Sequence, residues 1–251
     1  MKTDSKSTYV VGRQPVVEAM NAGKQLDRIY LQAGIGGEII QEIRKAAQAL
    51  QVPINMVPLE KLNSLTRANH QGVVAIAGLV KYMDLQQVID HINEQGETPL
   101  FIMLDGITDV RNIGAIARSA LCAGAQAIII PDKGVGAINE EAIKSSAGAL
   151  HNIHICREAS LLKAIDTLHL NGIQILASEM KSERNFFEMP LQDPCCIIMG
   201  SEDKGIQPFL GKASDHTFTI PMTPKFDSFN VSVATGIILY EAFRQRHFNQ
   251  K

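Results

Sequence analysis

Three runs of polar residues, each set behind a run of apolar ones, combine residue types at spacings that can hold a ligand. The first reads Asn112-x-Gly114-Ala115-x-x-Arg118 and follows Phe101–Leu104. Asn112 suits a helix cap, and Gly114 and Ala115 leave room for a close approach to the helix's first turn. Arg118 then stands less than two turns in. The second reads Gly200-x-Glu202-x-x-Gly205 and follows Ile197–Met199. Its glycines bracket a charged turn, so a ligand can pass against Gly200 with the Glu202 carboxylate beside it. The third runs from Ile220-Pro221-Met222-Thr223-Pro224 into Ser228-Phe229-Asn230-Val231-Ser232. Its prolines stiffen the loop, because each ring fixes φ. Ser228, Asn230 and Ser232 are all good helix-start residues. Taken singly, these runs also fit a capped surface helix, a polar turn and the start of a core helix.

Other chemistries lack their usual signals. There is no G-x-G-x-x-G after the first strand and no G-x-x-x-x-G-K-[ST], so dinucleotide and P-loop sites lose their sequence support. No G-x-S-x-G elbow is present. His151 and His154 are three apart, but no cysteine or carboxylate set joins them at ligand spacing. They read as surface or packing residues, and no metal site is expected. The four cysteines, Cys122, Cys156, Cys195 and Cys196, form no C-x-x-C pair and read as reduced packing residues.

The polar runs need elements to position them. From Leu100 onward, strand-length apolar runs recur at Leu100–Leu104, Ala127–Pro131, Ile153–Cys156, Ile173–Ala177, Cys195–Met199 and Thr217–Ile220. Helix-like segments at 112–123, 139–149, 159–170 and 231–247 alternate with them. Short, wholly apolar strands between helices predict an α/β fold with a parallel sheet covered by helices on both faces. Ligands on such sheets bind at the carboxyl ends of the strands, where the three polar runs lie. The helix Val231–Phe243 is apolar on nearly every side and must be buried all round, which points to a second subunit.

Residues 1–80 read as a separate, small α/β domain. It has strands at Arg28–Gln32, Ile54–Val57 and Val73–Leu79, and helices opening at Gly12-Arg13-Gln14-Pro15, over Glu38–Leu50 and over Lys61–Arg67. A linker is expected over 81–98, where a helical stretch, Asp84–Glu94, runs into Gln95-Gly96-Glu97-Thr98-Pro99. The domain from 99 to 251 carries the chemistry. The first 80 residues hold nine basic and six acidic side chains, a balance of +3, whereas the remainder stands at −5. The N-terminal domain is therefore the part expected to meet a polyanion.

Over 251 residues, 45% hydrophobic and 20% charged, the composition excludes a disordered chain. No stretch approaches the ~18 apolar residues of a membrane span. The polar start MKTDSKSTYV lacks an apolar signal core, so a cytoplasmic protein is expected. A net charge of −2 excludes a crude polybasic nucleic-acid binder but not a local basic patch.

In order and spacing the three polar runs resemble the three motifs of the SpoU family, the TrmH-like branch of the SPOUT RNA 2′-O-ribose methyltransferases. The N-terminal domain, from Tyr9-Val10-Val11-Gly12 to His70-Gln71-Gly72-Val73-Val74-Ala75, resembles the family's substrate-binding domain. The resemblance implies a C-terminal trefoil knot holding S-adenosylmethionine, a homodimer, and an RNA substrate. That RNA is ribosomal or transfer, with guanosine as the expected nucleoside. It also implies that Gly200, Ile220 and Phe229 hold the cofactor's adenosine part through their backbone, with Gly205, Met222 and Ser228 beside it. Arg118 would clamp phosphate and stabilise the developing alkoxide. Asn112 and Glu202 would orient Arg118 and the ribose, and Asn230 would fix the active-site loop. The chain departs from the family pattern at Asp203 and Pro224, where glycine is usual, and at Phe229, where leucine is. Two other readings stay open: an RNA-binding relative without catalysis, and a nucleotide-binding α/β enzyme of another chemistry.

Overall fold

The computed structural model describes residues 9–50, 52–136, 138–223 and 228–248. Pro224, one of the departures from the family pattern, lies outside them. The chain divides into two compact units, one ending at Val80 and one beginning at Lys81.

The first unit runs β1 (Tyr9–Val11), α1 (Arg13–Asn21), β2 (Leu26–Gln32), α2 (Glu38–Ala49), β3 (Ile54–Val57), α3 (Leu59–Leu65) and β4 (Val73–Ala77). Its sheet has the order β1-β4-β2-β3. β4 runs antiparallel to both β1 and β2, and β3 is parallel to β2, so β1, β2 and β3 all end at one edge. Alternating strand residues such as Ile29, Leu31, Val73 and Ala75 bury one face against Val16, Val17, Ile40 and Ile43 of α1 and α2. The 66–72 loop is tied down at the same edge. His70 Nδ1 accepts the Gly72 N–H at 3.0 Å, which leaves the proton on Nε2 to be donated to Asn63 Oδ1 at 2.9 Å. Gly72 has φ +79, and a Cβ there would collide with the Ile35 side chain.

The second unit runs β5 (Tyr82–Met83), α4 (Leu85–Glu94), β6 (Leu100–Asp105), α5 (Val110–Cys122), β7 (Ala127–Pro131), α6 (Glu140–Ser145), β8 (His154–Glu158), α7 (Leu161–Leu170), β9 (Gln174–Ser178), β10 (Cys195–Gly200), α8 (Pro208–Ala213), β11 (His216–Phe218) and α9 (Val231–Phe248). Its seven strands are all parallel, in the order β11-β9-β10-β6-β7-β8-β5. One face, with Phe101, Met103, Ile129, Ile175 and Ile198, packs under Val88 and Ile89 of α4, Ile165 and Leu168 of α7 and Leu210 of α8. The strand residues of opposite parity, such as Ile102, Leu104, Ile128 and Ile197, are equally buried, on the side of α5, α6 and α9. This is the two-faced parallel sheet expected from wholly apolar strands.

The linker expected over 81–98 is corrected. Tyr82 and Met83 pair with Ile155 and Cys156 of β8 as an edge strand. Leu85, Val88, Ile89 and Ile92 of α4 belong to the second unit's core. The Gln95–Pro99 punctuation marks only the turn from α4 into β6.

The C-terminal end of α9 is fastened to the amino-terminal edge of the sheet. The Arg246 guanidinium donates to the carbonyls of Leu191 (2.8 Å), Thr98 (2.8 Å), Pro99 (2.9 Å) and Asp193 (2.9 Å). Gln245 Oε1 accepts the Leu191 N–H at 3.0 Å. Cys156, Cys195 and Cys196 are buried free thiols, and Cys122 is exposed. Burial in apolar surroundings pushes the Cys156 thiol up to about 12. Among the described residues, no helix is long and apolar enough to cross a membrane.

Candidate active site

The carboxyl ends of β9 and β10 and the start of α9 enclose a cleft with about 560 Å³ of empty space, counting its open mouth. Gly200, Gly205, Ile220, Met222, Ser228 and Phe229, the six residues expected to hold a cofactor, all line it. Met222 and Phe229 stand at its rim, 37% and 39% exposed.

β10 ends at Gly200, and the chain reverses at once. Ser201 N donates to Gly205 O at 3.1 Å, and Gly205 N donates to Ser201 O at 2.8 Å. A Cβ on Gly200 would strike the backbone of Gly205 and Ile206, so glycine is required for the loop to close on itself. The left-handed residue of this turn is Gly205, with φ +65, and Asp203 has an ordinary negative φ. The departure at Asp203 therefore calls on no left-handed tolerance.

The reversal presents Glu202 to two other elements. Its Oε1 accepts the Asn230 Nδ2–H at 2.6 Å, the Val231 N–H at 3.1 Å and the Asn112 Nδ2–H at 3.2 Å. Asn230 Nδ2 also donates to Asn112 Oδ1 at 3.1 Å. Asn230 Oδ1 caps α9 by accepting the Ser232 N–H at 3.0 Å and the Ser232 hydroxyl at 2.6 Å. Three polar residues from three distant stretches thus share one junction, and Glu202 also lines the cleft. Charge-assisted bonds of this kind fix side-chain direction more firmly than neutral ones.

The sequence expectations for α5 need two corrections. Asp109, not Asn112, caps the helix, with Oδ1 accepting the Arg111 N–H at 2.9 Å. Asn112 lies inside the first turn, which frees its amide for Glu202 and Asn230. What closes on Gly114 is α6: a Cβ there would collide with Ser145 Oγ and the Ala142 carbonyl. Gly114 is thus a helix-packing glycine.

The structure does not bring Arg118 into the junction. Asn112 and Glu202 bond each other, and the exposed Arg118 makes no hydrogen bond or ion pair among the described residues. Six residues along α5 turn the two side chains about 120° apart, which separates them.

Sequence reasoning missed the far wall of the cleft. Ser178, the last residue of β9, and Glu179, Met180 and Thr219, just beyond β9 and β11, line it. The strand-end rule that singled out the other clusters applies equally to Ser178-Glu179-Met180.

The SpoU rRNA Methylase family model matches residues 99–240. The chain belongs to that family. Residues 9–83 match the model for RNA 2′-O ribose methyltransferase substrate binding, which spans the first unit and β5. A Staphylococcus haemolyticus protein named as a TrmH family tRNA/rRNA methyltransferase is 32% identical over 238 residues, covering 95% of this chain and 96% of its own. A solved RNA 2′-O ribose methyltransferase is 26% identical, covers 95% of this chain and 88% of its own, and superposes with a TM-score of 0.56. The fold is also that of the SpoU methyltransferase AviRb from Streptomyces viridochromogenes, solved with AdoMet. That structure has a TM-score of 0.61 at 22% identity, over 95% of this chain and 90% of that one. The cleft described above is thus set in an RNA methylase of the SpoU family, whose first unit is similar to a substrate-binding domain.

Proposed function

We propose that this SpoU methylase transfers a methyl group from S-adenosylmethionine to a ribose 2′-hydroxyl, probed most directly at guanosines of ribosomal or transfer RNA. The observation that carries the reading is the Asn112–Glu202–Asn230 junction at the edge of a cleft lined by all six motif residues. The lining suits this cofactor chemically. Met199, Ile220, Met222, Phe229 and Ala234 offer apolar surface for an adenine ring, and Ser178, Ser201, Thr219 and Ser228 offer hydroxyls for a ribose. Glu179 and Glu202 supply carboxylates where a cationic ligand would lie. When bound, S-adenosylmethionine supplies an electrophilic methyl group.

The rest of the work falls to the chain's own residues. Gly200, Ile220 and Phe229 hold the adenosine part, with Gly205, Met222 and Ser228 at its side. The ribose hydroxyl is a poor nucleophile, so its orientation decides the rate. Glu202 and Asn112 hold the ribose, and Asn230 keeps the start of α9 in register with them. Arg118, with no hydrogen-bond or ion-pair partner among the described residues, is free to clamp an RNA phosphate and to stabilise negative charge on the 2′ oxygen. A guanidinium keeps its proton too firmly to act as the base.

The finer features follow the same reading. The second unit would carry a trefoil knot towards its C-terminal end. The exposed side of α9, with Val233 50% and Tyr240 68% exposed, would bind a second copy of the chain. By resemblance, the two-unit layout supports a ribosomal-RNA guanosine as target. Titration calorimetry with S-adenosylmethionine, followed by mapping of 2′-O-methyl sites in RNA from a deletion strain, tests the proposal. Absence of cofactor binding would favour a non-catalytic RNA-binding relative.

A further inference from the structure

The loop that carries Glu202 is also fastened at its exit, by a residue outside the cleft. Asp105 ends β6, beside Gly200 in the sheet register, and is only 3% exposed. Its Oδ2 accepts the Gln207 backbone N–H at 2.7 Å and its Oδ1 accepts the Gln207 side-chain Nε2–H at 2.7 Å. Asp105 lines neither the cleft nor the Glu202 junction. A buried carboxylate must be bonded, and here Gln207 supplies bonds to both oxygens. The segment from Gly200 to Gln207 is therefore held at its root by the Ser201–Gly205 pairing, at its tip by Glu202 and at its exit by Asp105.

We infer that Asp105 is a positioning residue that sets the cofactor-lining face of this loop from behind, through Gln207. This rests on the cleft's assignment to S-adenosylmethionine. The root pairing spans only five residues and can move as a body. The exit contact fixes that body to the neighbouring strand, β6, across 102 positions of sequence. Losing it would let Gly200, Glu202 and Gly205 shift together relative to β9, whose end forms the opposite wall.

The bond pattern sets the test. Asp105→Ala removes both acceptors. Asp105→Asn keeps an acceptor for the Gln207 N–H, and the Gln207 amide can rotate to accept from the new amide. Gln207→Glu sets a second carboxylate against Asp105, and the double variant D105N/Q207E restores a donor opposite an acceptor. Two readouts are taken on each full-length protein: hydrogen exchange across 200–207 without cofactor, and the S-adenosylmethionine Kd by calorimetry. Asp105→Ala and Gln207→Glu are expected to speed exchange and to weaken binding about tenfold or more, the scale of one charge-assisted bond. Asp105→Asn and the double variant should return both readouts to within about threefold of the parent. Parental values in Gln207→Glu, or no recovery in the double variant while Asp105→Asn is normal, would overturn the inference. A parent protein that binds no S-adenosylmethionine refutes the cofactor assignment instead, and exchange across 200–207 still judges the latch.

Discussion

Arg118 is free where Asn112, Glu202 and Asn230 are all bonded to one another, and that contrast separates their roles. On the proposed function, the bonded three would shape the site, whereas the Arg118 guanidinium, unbonded among the described residues, would meet the substrate. Arg118→Ala should lower methyl transfer by about 10²-fold or more, the scale of losing a charge-stabilising donor, with cofactor affinity unchanged. Arg118→Lys should not restore it, because a point charge cannot replace a planar fork. Single-turnover methylation assays with parallel calorimetry check both. An active lysine variant would count against phosphate clamping. Gly114 marks the opposite case, a motif residue that serves packing. Gly114→Ala drives a methyl group into Ser145 and the Ala142 carbonyl. It should cost about 1–3 kcal/mol of stability, read from denaturant melts, by overpacking the α5–α6 contact. Composition alone could not distinguish these roles, since a small residue near a helix start admits a ligand and a neighbouring helix equally well.

At the scale of elements, most strands were legible to within a residue or two, because most are short, largely apolar runs. β1 and β5 were not, since two or three residues show no period. α8 was not either, being six residues long with Gly211 inside it. The helix expected over 139–149 stops at Ser145, because Ala147 and Gly148 take positive φ (48° and 89°) and turn the chain. Its carbonyl ladder cannot continue through left-handed residues. One inter-element tie predicts a pH response. Asp215, just before β11, accepts the Ile175 N–H of β9 at 2.7 Å and His169 Nε2 of α7 at 2.9 Å. Partial burial pushes its carboxyl up, but the bonds from Ile175 and His169 outweigh burial and hold it below the usual range. A lowered folded-state value stabilises the protein above the ordinary carboxylate range, and that contribution is lost as pH falls through the lowered value. Asp215→Asn should therefore flatten the acid side of the stability profile and leave its neutral side least changed in slope, as thermal melts across pH will show.

For the whole molecule, α9 decides two properties. Its buried side, with Ile238, Leu239 and Ala242, faces its own sheet, and its open side carries Val233 and Tyr240. A charge at Leu239 would test folding, so the dimer is tested at the open side. Val233→Glu with Tyr240→Glu should give a folded monomer by sedimentation equilibrium, where the parent protein is expected to sediment as a dimer. A parent monomer that methylates RNA at micromolar concentration would end the dimer proposal. The first unit's +3 balance makes the second test. Deleting residues 1–80 should weaken RNA binding and reduce its salt dependence, since fewer counterions are released, while cofactor affinity holds. Equal salt slopes for the two proteins would remove that unit as the RNA handle. The clasp at Arg246 carries a consequence in time. Val231 and Ala234 complete the cleft from α9, and the far end of that helix is clasped when Arg246 reaches Thr98 and Pro99, 148 and 147 positions earlier. Contacts so distant in sequence close late. A nascent chain therefore has its first unit ready well before the cleft of the second unit is complete. If that unit is the RNA handle, as proposed, it would meet RNA during synthesis, and modification would wait until residues through Arg246 have emerged.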